Sequence, residues 1–196
     1  RERARRTSER PGLWIAEVSK VKAKLDELAA SPTAQNASVA QRCDMFRLQA
    51  QVAMDLFESQ GDHIGGGESG KLAFTAESAS LITRPLLTAV NEAECVGVNE
   101  VDRASIDIER LSDLRLQLAE AYELAGQNSS DTGQQHDFTV AAFKQLVSAL
   151  VAGSLSARER LPAMVSSLRH CPSFWDEAGA ALDRVPLHLF LRWATQ

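Results

Sequence analysis

Residues 39–60, "VAQRCDMFRLQAQVAMDLFESQ", decide how the rest of the chain is read. Val39, Cys43, Phe46, Ala50, Ala53 and Phe57 recur at helical spacing and draw one apolar stripe. Met45, Leu48, Val52 and Leu56 draw a second. Two stripes on one helix mean burial on two sides, as for a helix held between neighbours. Ser38 stands where an N-cap belongs, and the pattern carries the helix to about Gln60.

That helix fixes the meaning of the glycine-rich stretch behind it. Residues 65–72, "GGGESGKL", come close to the P-loop pattern of a glycine, four residues, then Gly-Lys. A working P-loop is entered from a β-strand, so that the next helix aims its first amides at the phosphates. Here a helix enters it. Leu72 occupies the position that needs a Ser or Thr hydroxyl for magnesium, and Glu68 sets a carboxylate inside the loop. The expectation is a glycine-rich connection at residues 61–70 with no nucleotide site.

Outward from this point the periodicity stays helical. Trp14, Val18, Val21, Leu25 and Leu28 predict a first helix that stops near Ala30, because Pro32 disfavours helical geometry at Ser31. Beyond the glycine-rich stretch, Thr75 is placed to cap a helix that Pro85 should kink or restart near Thr83. The longest helix is expected over Val101–Ala125, with Ile108, Leu111, Leu114, Leu118 and Tyr122 inward and Gly126 as its terminator.

Residues 127–136 then read as a polar loop. Asp137 is the expected cap of a helix striped by Phe138, Ala142, Leu146 and Ala149 on one line and Val140, Phe143, Val147 and Leu150 on another. Gly153 should end that helix, Ser156 should cap the next, and Pro186 should open the last. No alternating β-branched run appears between turn signals. The fold class expected is all-α: antiparallel helical repeats stacked as an α-solenoid of the TPR/HEAT kind, with no sheet. Residues 1–12 form a basic flexible segment, 13–126 the solenoid repeats, and 137–196 the C-terminal helices.

Composition narrows the function classes. With 44% hydrophobic and 24% charged residues, the chain belongs among globular proteins. No apolar run approaches the roughly 20 residues that span a bilayer, so no membrane segment is expected. A net charge of −5 argues against direct nucleic-acid binding, although Arg1, Arg3, Arg5, Arg6 and Arg10 crowd the start. Cys43, Cys95 and Cys171 lie far apart and lack the spacing of a disulfide framework or zinc site, which suits a reducing compartment.

The four histidines form no metal-binding pair, and no nucleophile–base arrangement is legible. No catalytic, cofactor or metal residue is therefore assigned. Ser59, followed by Gln60 at the expected end of its helix, is a possible phosphorylation site. Phosphate there would oppose the helix dipole and fray the end.

The last third carries a resemblance. Ala157-Arg158, the run Leu161-Pro162-Ala163-Met164-Val165, then Pro172, Val185-Pro186, Phe190 and Trp193 resemble the end of the FAT region in phosphatidylinositol-3-kinase-related protein kinases. "DLRLQLAEAYEL" at 113–124 and "VAAFKQLVSALVAGSLSARERLP" at 140–162 look like the helix pair preceding it, so the likeness covers about Asp113–Gln196. Ala163 and His188 depart from it, standing where the family has a basic and an aromatic residue.

Pro162, Val185, Pro186, Phe190 and Trp193 are then structural positions, with Phe190 and Trp193 one turn apart as an apolar anchor. The resemblance implies a non-catalytic scaffold within a large nuclear serine/threonine kinase. Its parent would use ATP and magnesium in a kinase domain elsewhere. The branch most similar acts at DNA ends with the Ku heterodimer in end-joining repair. Another member of the family, or a free-standing helical-repeat adaptor, would share the same packing signature.

Overall fold

The computed structural model describes residues 11–63, 76–95 and 108–168, together with Asp176 and Gly179. Within these it holds seven helices and no strand: α1 Pro11–Ala29, α2 Pro32–Gln35, α3 Val39–His63, α4 Ala76–Cys95, α5 Ile108–Asn128, α6 Thr132–Val151 and α7 Leu155–Leu168. The all-α class holds.

Neighbours in sequence are the main neighbours in space: α1 packs on α3, α3 on α4, α4 on α5, α5 on α6 and α6 on α7. Their direction alternates. Arg42 near the start of α3 meets Glu92 near the end of α4 through Nε–Oε2 at 2.7 Å, and Glu94 meets Arg115 early in α5. Tyr122 late in α5 stacks on Phe138 early in α6, ring centroids 6.3 Å apart.

Two apolar clusters form the core. The first joins Cys43, Ala50 and Ala53 of α3, Ile82, Leu86 and Ala89 of α4, and Leu114, Leu118, Ala121 and Ala125 of α5. The second joins Ala119 of α5, Phe143, Leu146 and Val147 of α6, and Ala157, Leu161 and Val165 of α7. α5 thus serves both clusters from opposite faces. α6 buries six of the eight residues of its expected stripes, Val140, Ala142, Phe143, Leu146, Val147 and Ala149, while Phe138 and Leu150 at the ends are partly buried. α3 matches its first stripe, but of the second Met45 is buried while Leu48 lies exposed. Among the α1 side chains described, those of residues 16–29, only Val18 is buried; Val21 and Leu28 keep 48% and 49% of their surface. That helix packs mainly on α3, where Gln49 Nε2 donates to Asp26 Oδ1 at 2.9 Å.

The helix ends show where local chemistry was legible. Ser38 caps α3 as a capping box: Gln41 N donates to Ser38 Oγ at 3.3 Å, and Ser38 N donates to Gln41 Oε1 at 3.0 Å. α1 stops at Ala29 before Pro32, as expected, and Ser31 then caps the single turn α2 through Ala34 N. α1 begins at Pro11, inside the segment expected to be flexible; proline fits a first helical turn because its missing N–H is not needed there.

Several expected boundaries are corrected. α3 runs on through Gly61 and Asp62 to His63, so the glycine-rich connection begins no earlier than residue 64. Residues 64–75, with the "GGGESGKL" stretch and Thr75, lie outside the described residues. Pro85 restarts nothing: α4 is one helix with the proline in its interior. Its missing N–H leaves the Leu81 carbonyl without an intrahelical donor, at a residue that is half exposed and within reach of water.

α5 passes through Gly126 to Asn128, and residues 101–107 of the helix expected over Val101–Ala125 lie outside the described residues. Gly126 is therefore no terminator. α6 packs beside it without needing the missing side chain, since a Cβ there would sit at an ordinary contact distance, 3.5 Å, from Gln135 O and from Phe138 Cβ. The expected polar loop at 127–136 shrinks to the three residues between α5 and α6, because Asp131 rather than Asp137 caps α6. Asp131 Oδ1 accepts from Gly133 N at 2.8 Å and Gln134 N at 3.4 Å.

At the other end of α6 the expectation for Gly153 holds in detail. Gly153 takes φ 94°, Gly153 N donates to Leu150 O at 2.8 Å, and Ser154 N donates to Ala149 O at 3.0 Å. This pair of bonds is a Schellman motif. Ser154, not Ser156, then caps α7, its Oγ accepting from Ala157 N at 3.2 Å.

Candidate functional site

Few of the residues singled out from sequence fall where their side chains can be followed. The Ser59 backbone is helical within α3, and its side chain lies outside the described residues. So do Val185, Pro186, Phe190 and Trp193. Pro162 lies in α7, as its eighth residue rather than within the first turn. It therefore removes one helical hydrogen bond, to the carbonyl of exposed Arg158, where water can take the donor's place. Leu161 beside it is fully buried in the second cluster, with Ala157 and Val165 one turn to either side. Arg158 and Ala163 of the same stretch are exposed.

Two surface clefts flank these elements. Among the described residues, one of about 510 Å³ is lined by Gly126, Gln135, Thr139, Arg160 and Met164, with Glu123 at its edge. Arg160 dominates its chemistry. Nη1 bonds Glu120 Oε1 at 2.7 Å and Nη2 bonds Glu123 Oε2 at 2.6 Å, tying α7 directly to α5. Two carboxylates on one guanidinium leave it no surplus positive charge for an anionic ligand. Acids at 120 and 123, one helical turn apart, are legible as a pair on one face; that a distant arginine bridges both is set by tertiary packing alone.

The second cleft, of about 500 Å³, lies where the starts of α5 and α7 come together, with Glu109, Ser112 and Asp113 on one side and Gly153 to Ser156 on the other. Ser112 is buried, and its hydroxyl oxygen has no hydrogen-bond partner.

Among reactive groups, the Cys43 thiol is pushed up to about 11, first by burial and then by the nearby Glu92 carboxylate. It faces the Ala89 carbonyl at 3.4 Å, a protonated apolar-core cysteine rather than a nucleophile. Burial also pushes the Tyr122 hydroxyl upward. Glu92 beside Cys43 is held by Arg42 Nε at 2.7 Å, and its charge keeps the thiol protonated. Among the described residues no three His, Cys, Asp or Glu side chains converge to hold a metal ion. No described helix is long and apolar enough to cross a membrane.

Comparison adds no relative: no family model, curated protein or solved structure matches the chain.

Proposed function

We propose that this chain is a non-catalytic scaffold segment, an α-solenoid of antiparallel helices within a large nuclear serine/threonine kinase resembling the DNA-dependent protein kinase catalytic subunit. The observation that carries the scaffold part is the packing of α5 and α6. Each is buried on more than one side by helices adjacent in sequence, while Arg160 beside them pairs with Glu120 and Glu123 and the buried Cys43 thiol stays protonated. Such an array transmits position and shape, and chemistry is left to another part of the parent.

The kinase part is supported by the FAT-like residues between Asp113 and Gln196, of which Ala157, Leu161 and Val165 supply the inward face of α7. On this reading the remainder of the kinase chain is the segment's principal partner. ATP and magnesium belong to the parent's kinase domain, and Ku and DNA ends are partners of the whole enzyme in double-strand break repair.

The test is to isolate the complete cellular protein with an antibody against this segment and to assay phosphate transfer from magnesium-ATP to a serine/threonine peptide. Transfer stimulated by linear DNA with Ku supports the full reading, and transfer indifferent to DNA points to another member of the family. A protein that carries no kinase domain sinks the kinase part and leaves a helical-repeat adaptor.

A further inference from the structure

We draw no further inference here: the strongest candidate, the cleft between the starts of α5 and α7, sets helix-end amides that would draw an anion beside Glu109 and Asp113 carboxylates that would repel it, so nothing in the structure shows what occupies it.

Discussion

Replacing Gly126 and Gly153 by alanine, one at a time, should move stability in opposite directions. At Gly153 the φ of 94° is a left-handed conformation, and a Cβ built there meets nothing within 4 Å. No clash or new contact contributes, so the whole effect is backbone strain of about 1–2 kcal/mol. At Gly126 the backbone is that of an ordinary helix, and the new methyl finds Gln135 O and Phe138 Cβ at 3.5 Å, a normal contact distance. Alanine there removes the entropic penalty of a helical glycine, a gain of about 0.5–1 kcal/mol. For a chain of this size each kcal/mol shifts the melting midpoint by roughly 2–4 °C. Gly153→Ala should therefore lower it by about 2–8 °C, and Gly126→Ala should raise it by about 1–4 °C. Thermal melts followed by the helical circular dichroism signal read both. A Gly126→Ala loss as large as that of Gly153→Ala would mean that α5 ends at Gly126. An unchanged midpoint for Gly153→Ala would remove the Schellman turn.

Ser112→Ala should stabilise the protein by about 1 kcal/mol in denaturant titration, since it deletes a buried hydroxyl without a partner; a loss of that size would show that the hydroxyl is bonded. Phe143→Ala, at the fully buried centre of the second cluster, should cost about 3–5 kcal/mol by the same titration. Asp131→Ala should cost about 0.5–2 kcal/mol and speed amide exchange at Gly133, whereas Asp137→Ala should do neither. In the native protein, exposed Cys95 should react with a thiol reagent far ahead of buried Cys43, as read by peptide mass mapping. Because the Cys43 thiol is raised from 9.0 to about 11, its contribution to stability is complete below pH 9 and fades as the pH climbs through 11. Cys43→Ala should flatten that alkaline loss.

The fold class was legible because it rests on period, and the stripes of α6 include every residue it buries, with Phe138 and Leu150 at the ends partly buried. Helix ends were legible only where one residue alone could do the job. Ser38 with Gln41, Pro32 and Gly153 each act through their own backbone or side chain within a turn. Asp131 and Asp137 are both acceptable caps in isolation. The choice fell to Asp131 because Ser129 and Gln134 complete a network around it, Ser129 Oγ lying 3.3 Å from Gln134 Oε1. Gly126 illustrates the reverse case. A glycine near a helix end signals a stop, yet α5 runs two residues past it, and the neighbouring α6 leaves room there for a methyl at ordinary contact distance. The site was less legible than the fold, because a packing signature names no ligand. Arg160 and its two glutamates are far apart in sequence and meet only through the stacking of α5, α6 and α7.

The sharing of α5 between two clusters has a kinetic consequence. Contacts concentrated between successive helices close short loops, which favours rapid assembly from either end. The two ends cannot, however, mature independently, because Ala119 and Ala121 commit neighbouring positions of one helix to different clusters. Fraying at α7 can stop at α6, whereas loss of α5 dissolves both halves together. The slowest-exchanging amides should thus gather along α5, making it the last element to open and the natural nucleus of refolding.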